Sequence, residues 1–300
     1  FNNMPKVSKS FRAFFLMSLS VGILACLDAI VKIINAQGMH PFEIVFFRNV
    51  FGLIALLPFF IRVGFKELKT QRPMYHICRG SMHAAAMMTW FWAITVMPLA
   101  DATALSFIMP IFASIGAILF LNERSILMRW VSIGIGLLGM LLILRPGFKE
   151  IDFGTWVVLC GAIFTAISKL MTKSLTRSER PPTIVAYMSL TLTFISFVPA
   201  VFVWTWPTSE IWFWLITAGS IGSLAHIIQA QSFKEGDVTL VEPAGFLRLI
   251  WAAAVGYIIF GEVPQIWSWI GAAVIMIGII LLLRSETKNE ISASKAPDAR

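Results

Sequence analysis

Stretches of about twenty apolar residues recur along the whole 300-residue chain, and they decide the solvent. The first covers 14–34, and others follow at short intervals as far as residue 284. Only 13% of the residues are charged and 58% are hydrophobic, with a mean hydropathy of +0.80. Soluble domains carry about 25% charged residues. A water-soluble globule is excluded, and the recurrence points to many membrane spans rather than one anchor. The first run reads as a retained helix, because no small-residue cleavage site separates it from a polar mature domain.

Helices are expected over 12–34, 41–62, 76–97, 100–121, 126–145, 154–174, 182–204, 209–228, 237–260 and 265–284. Pro41, Pro182 and Pro207 fall at or just before helix starts, where the missing N–H costs little. "RPGF" (145–148) and "WPTSE" (206–210) read as turns. Of the 24 Lys and Arg residues, Lys32, Arg48, Arg79, Lys169 and Arg248 fall within spans. With the N-terminus inside, the outer loops hold only Arg145 and Lys149, and the other 17 are cytoplasmic. This bias places both termini in the cytoplasm. It also accounts for the net charge of +8 as topology rather than nucleic-acid binding. Cys26, Cys78 and Cys160 lie in apolar runs without metal-ligand spacing and are expected to be small core residues.

The chain reads as a duplication. "FLNERSILMRWVSIGIGLLGMLLILR" (120–145) matches "IFGEVPQIWSWIGAAVIMIGIILLLR" (259–284) at an offset of 139, pairing Glu123 with Glu262, Gly139 with Gly278 and Arg145 with Arg284. "HPFEIV" (40–45) and "PPTIV" (181–185) add an upstream match. Each half has five helices, so the second half enters from the opposite side. The expected fold is an all-α integral membrane protein of ten transmembrane helices in two inverted five-helix repeats. Its parts are a cytoplasmic N-terminal segment (1–11), a first repeat (12–145), an outer connecting loop (146–153), a second repeat (154–284) and a disordered cytoplasmic tail (285–300). Inverted repeats are common in secondary transporters, with the substrate near the midplane between them.

"FFRNVFG" in the second helix, "MPLADATALSFIMPIF…LFLNER" from the third to the fifth, and "FLRLIWAAAVGYIIFGEVPQIWSWIGAAVIMIG" in the ninth and tenth resemble, in that order, the drug/metabolite transporter superfamily of EamA type. The resemblance spans about 10–284. Its C-terminal piece is similar to a subgroup that contains riboflavin and S-adenosylmethionine transporters. It implies a small-molecule metabolite as partner, a bacterial inner membrane as location, and neither cofactor nor metal.

Charges and breaks inside the spans are the candidate pathway residues. Arg248 lies about 16 Å into a span that starts at 237, near mid-bilayer. A charge there is costly and marks a structural pair or a substrate contact. Pro110 and Pro243 interrupt helical bonding, and broken helices can line a cavity. Pro110 and Arg248 are expected to border one central cavity, with Met109, Trp90, Met87 and Phe246 beside it as an adaptable apolar lining. Glu242 is a candidate for a cationic substrate group. His83, one turn from Arg79, is a candidate proton acceptor. His226 and Lys169 are expected to snorkel at the inner boundary. Arg48, about 10 Å from the outer end, is expected to face the bundle interior and pair with Asp28 or Asp101. With Asp28, Lys32 and Glu43 it would shape an outer vestibule. Small residues in "GIGLLG" (134–139) and from Gly271 to Gly278 suit close helix packing, within a chain or across a homodimer.

Three function classes compete. A secondary transporter working by alternating access fits the inverted duplication and the midplane arginine. A lipid flippase on the same fold would need a lateral opening between helices. An intramembrane enzyme would need a catalytic motif, and no HExxH, GxSxG or phosphate-binding glycine loop is present. The chain carries no soluble nucleotide-binding domain, so it is not by itself an ATP-driven pump.

Overall fold

The computed structural model describes residues 9–96, 106, 108–123, 126–144, 153–261 and 266–295. Among these the long elements are all helices: α1 (Lys9–Ala36), α2 (Pro41–Val63), α3 (Pro73–Val96), α4 (Met109–Leu121), α5 (Leu127–Leu144), α6 (Phe153–Leu175), α7 (Pro181–Phe202), α8 (Ser209–Glu235), α9 (Leu247–Phe260) and α10 (Ile266–Lys295). By length and composition, α1, α2, α6, α7 and α8 are long and apolar enough to cross a membrane, and shorter apolar helices cover 109–121, 127–142 and 269–285. Many large apolar side chains lie on the outside, including Phe202 (84% exposed) and Ile258 (78%). Soluble monomers rarely expose apolar surface on this scale.

Local chemistry sets the helix ends. At the start of α2, Pro41 occupies the first turn, Glu43 Oε2 accepts the His40 N–H at 3.0 Å, and His40 Nδ1 accepts the Phe42 N–H at 3.3 Å. Gly64 ends α2 at φ 99°, a backbone angle that glycine adopts without steric cost. Asn122 ends α4 in the left-handed region. Thr208 caps α8 through the Ile211 N–H.

Helix pairing is orderly. α1 packs on α8 and α9, and α3 packs on α6 and α7. α2 packs on α7 and α8, α4 on α6, and α5 on α10. The last pair meets through glycines. A Cβ on Gly139 would lie 2.7 Å from the Gly271 carbonyl oxygen, and one on Gly278 would lie 2.9 Å from Ile135 Cγ2. Residue 139 thus faces 271 while 278 faces 135, so the two helices run antiparallel. These small residues serve packing within one chain.

The polar segments gather at two ends. At one, Arg12 pairs with Glu235 at 3.0 Å, Arg180 with Glu67 at 3.4 Å and His76 with Glu179 at 2.6 Å. A cavity of about 360 Å³ opens there among Asn122, Glu123, Lys173, Arg177, Lys234 and Asp237. At the opposite end Glu43 accepts from Thr205, and Gln37 donates to Glu210 at 3.0 Å.

Several expectations are corrected. The helix expected over 237–260 is interrupted: one helical turn (Val238–Val241) and a 3-10 segment (Glu242–Phe246) precede α9. Pro243 lacks the N–H that would continue the first turn. Pro110 sits in the first turn of α4, where its missing donor is harmless, just after Ile108 in a turn and the helical Ser106. α8 was expected to stop at 228 and continues to Glu235. α10 continues to Lys295, into the stretch expected to be a disordered tail from 285. Extending an existing helix needs no new nucleus, and Glu and Lys there are good helix formers. The three cysteines are exposed rather than in the core. A small apolar thiol is tolerated on a face that meets lipid. Asp101 and Glu262, and residues 100–105, 145–152 and 296–300 of the expected elements, lie outside the described residues.

Candidate functional site

A polar seam runs through the bundle where α2, α3, α6 and α8 meet. Arg48 on α2 is buried at 6% exposure. Two glycines of α8 make this possible. Gly219 lies against the Arg48 backbone, and a Cβ on Gly222 would come within 3.0 Å of the guanidinium. Arg48 Nη2 lies 3.1 Å from His226 Nε2. A guanidinium only donates, so His226 Nε2 is the acceptor and the imidazole proton sits on Nδ1. Arg48 Nη1 points at Met87 Sδ, 3.7 Å away. The His83 ring meets the His226 ring edge-on, with centroids 5.3 Å apart. His83 Nε2 is buried without a hydrogen-bond partner.

Depth follows from helix rise. His83 lies about 15 Å along α3 from Pro73, and His226 about 14 Å along α8 from Glu235. Both are near the middle of a ~30 Å hydrocarbon core. One turn from His83, Arg79 donates to Thr172 Oγ1 at 2.6 Å and to the Ile184 carbonyl at 3.1 Å. Among the described residues neither Arg48 nor Arg79 has a carboxylate in ion-pair range. Arg79 spreads its donors over a hydroxyl, a carbonyl and the Met188 sulfur. Arg48 has an imidazole and a thioether, both weak substitutes for a carboxylate.

The carboxylates of the seam are engaged elsewhere. Asp28 pairs with Arg248 at 2.5 Å, not with Arg48. Glu242 is fully buried and takes Lys169 Nζ on both oxygens at 3.0 Å. Glu242 therefore neutralises an internal lysine and is not presented as a free anion. Glu123 accepts from the Val238 and Thr239 N–H groups at 2.8 and 3.0 Å, tying α4 to the turn before the 3-10 segment. Arg129 holds the same turn through Thr239 Oγ1 at 2.6 Å.

The remaining expected residues are scattered. Glu43 is buried in a cap and in hydrogen bonds to Thr205, so it braces the α2 start rather than opening a vestibule. Lys32 is exposed on α1, one turn beyond Asp28. Trp90 packs near Ala93 and Val158. Met109 and Phe246 belong to the apolar core at the basic end, with the Phe246 ring against Gly136. Pro110 is buried at the α4 start. The 360 Å³ cavity is lined by other residues than these.

His226 and Lys169 were expected to snorkel, and the structure buries the first in the seam and ion-pairs the second. For His226 the error came from ending the eighth helix at 228. Seven more helical residues carry His226 away from the end. The available signal was "QAQSFKE" (229–235), polar but rich in helix-forming residues.

The sequence profile described as the EamA-like transporter family matches this chain twice, over 11–145 and 152–284. The S-adenosylmethionine uptake transporter of Rickettsia prowazekii (strain Madrid E) is 31% identical over 275 residues, 92% of each chain. The riboflavin transporter of Vibrio cholerae serotype O1 (strain ATCC 39315 / El Tor Inaba N16961) is 28% identical over 278 residues, covering 91% of this chain and 93% of that protein. A solved crystal structure overlays with a TM-score of 0.74 over 90% of this chain and 94% of that one at 17% identity, a likeness of fold. With apolar helices, a buried polar seam and a twofold family match, the chain belongs to the EamA-like transporter family and is a multi-pass secondary metabolite transporter, not an enzyme.

Proposed function

We propose that this transporter carries a metabolite with an amino-acid end, of the S-adenosylmethionine type, across the bacterial inner membrane. The observation that carries the reading is Arg48, buried at mid-depth with no carboxylate partner among the described residues. An arginine in that position is suited to take a substrate carboxylate through two parallel hydrogen bonds. S-adenosylmethionine has such a carboxylate, and the Rickettsia relative is named for its uptake. Riboflavin, named for the Vibrio relative, has none.

The path is that of ten spans in two inverted halves that open alternately to either side. Exchanging α1–α5 for α6–α10 turns most of the main helix pairings into others that are present, α7–α8 being the exception. The α1–α8 contact becomes α6–α3, the α2–α8 contact becomes α7–α3, and the α1–α9 contact becomes α6–α4. The α2–α7 and α5–α10 contacts map onto themselves. That is the pattern of a twofold axis relating the halves. The convergence of residues 121–123, 173–177 and 233–237 on one cavity supports a single cytoplasmic end with both termini on that side.

The test is uptake of radiolabelled S-adenosylmethionine into proteoliposomes, beside riboflavin uptake and lipid scrambling. Saturable S-adenosylmethionine uptake is expected. Riboflavin movement alone would replace the substrate, and scrambling alone would replace the transporter reading by a flippase. Bound substrate should also raise thermal stability, by about 2.7 kcal/mol at a hundredfold excess over Kd.

A further inference from the structure

We propose that His226 couples carboxylate binding at Arg48 to the uptake of one proton, which makes the transporter a proton symporter; this rests on the substrate reading above. The geometry allows two states of His226 Nε2. In the structure Arg48 Nη2 donates to His226 Nε2 at 3.1 Å, so the Nε2 lone pair is occupied. The nitrogen can accept that bond or carry a proton, not both. A carboxylate that takes the Nη2–H now aimed at His226 removes that bond from the imidazole.

The cycle balances. A substrate carboxylate enters, two N–H···O bonds form to Arg48, and the Nη2–H···Nε2 bond breaks. The freed Nε2 lone pair takes a proton from the outer solution, giving an imidazolium beside the carboxylate. On release at the other side the carboxylate leaves, Nε2 returns the proton to the inner solution, and Arg48 returns to the imidazole. The negative charge of the carboxylate and one proton enter and leave the Arg48–His226 pair together, so the charge is balanced at that end of the substrate.

The surroundings fit this role. α2 brings Arg48, and α3 brings Arg79 and His83, whose ring stands edge-on to His226 at 5.3 Å. α6 brings Lys169, held by Glu242 at 3.0 Å. α1 brings Asp28, held by Arg248 at 2.5 Å. α7 has Tyr187 as its one titratable side chain, near the basic end and donating to the Leu68 carbonyl at 2.7 Å. On α8 itself Gln229 lies near the His226 ring. No free carboxylate among the described residues faces His226, so the compensating anion is the substrate's. His83 Nε2, buried and unpartnered, is a second ring nitrogen through which the proton can pass.

The test is S-adenosylmethionine accumulation in proteoliposomes at clamped membrane potential. A one-unit pH step, acid outside, should raise wild-type accumulation about tenfold for one proton per substrate. His226→Gln keeps an acceptor for Arg48 but holds no proton. It should equilibrate substrate down its gradient and show no response to the pH step. Wild-type uptake that ignores the step overturns the proposal, as does a full response in His226→Gln. If folded wild type takes up no S-adenosylmethionine, the substrate reading fails separately. The switch is then read by ¹⁵N NMR of histidine-labelled wild-type protein with acetate as the carboxylate probe. His226 Nε2 should change from hydrogen-bond acceptor to protonated, and an unchanged signal overturns the proposal. The NMR arm uses no variant, so it holds even if His226→Gln does not fold.

Discussion

Two ion pairs of the seam have the same chemistry and opposite surroundings. In Asp28–Arg248 the side chains keep 52% and 38% of their exposure; in Lys169–Glu242 they keep 0% at Glu242 and 14% at Lys169. The first pair is accessible from outside the protein, and the second is sealed beneath the 3-10 segment. Beside the second pair, Glu123 and Arg129 clamp the same segment. The difference teaches that the seam is loosely closed where Asp28 of α1 meets Arg248 of α9 and firmly closed where 238–246 folds onto α1, α4 and α5. Arg48 forms an ion pair with neither carboxylate.

If the contrast holds, Glu242→Gln has the largest effect. It leaves Lys169 charged and unpaired in a buried place, which costs about 3–5 kcal/mol. A thermal melt in detergent should drop sharply, and an unchanged melt would place Lys169 in contact with water. Glu123→Ala comes next, at about 2 kcal/mol, because two buried backbone N–H groups lose a charged acceptor. The same melt measures it, and hydrogen exchange at Val238 and Thr239 should rise with it. Asp28→Asn should be the mildest, below about 1 kcal/mol, because a half-exposed pair contributes little. A loss as large as that of Glu242→Gln would erase the distinction between the two ends.

Much of this architecture was legible before the structure. Apolar runs and prolines placed α2, α6 and α7 within two residues at each end, because their sequences are bounded by Pro41, "RPGF" and Pro182. The interruption before α9 was half legible: Pro243 announced a break, but neither its 3-10 geometry nor the burial of Glu242 could be read from spacing. Lys169 and Glu242 are 73 residues apart, and only the folded segment brings them together. Arg48 was correctly expected to face inward, yet its partner was sought among carboxylates because charge pairing is the commonest remedy for a buried arginine. A neutral imidazole on a helix read seven residues too short gave no such signal. The Asp28–Arg248 pair joins residues 220 apart, and Asp28 was assigned to other partners.

The most direct test compares the two arginines by the same substitution. Lysine keeps the charge and loses the two-pronged grip. Arg48→Lys and Arg248→Lys should both fold, judged by size-exclusion profiles, and S-adenosylmethionine uptake is then measured per folded protein. A substrate-gripping Arg48 predicts uptake reduced about tenfold or more in Arg48→Lys, a loss of at least ~1.4 kcal/mol, with Arg248→Lys near wild type. Near-normal uptake by Arg48→Lys, with the loss falling on Arg248→Lys instead, would contradict the account and place the carboxylate site at Arg248.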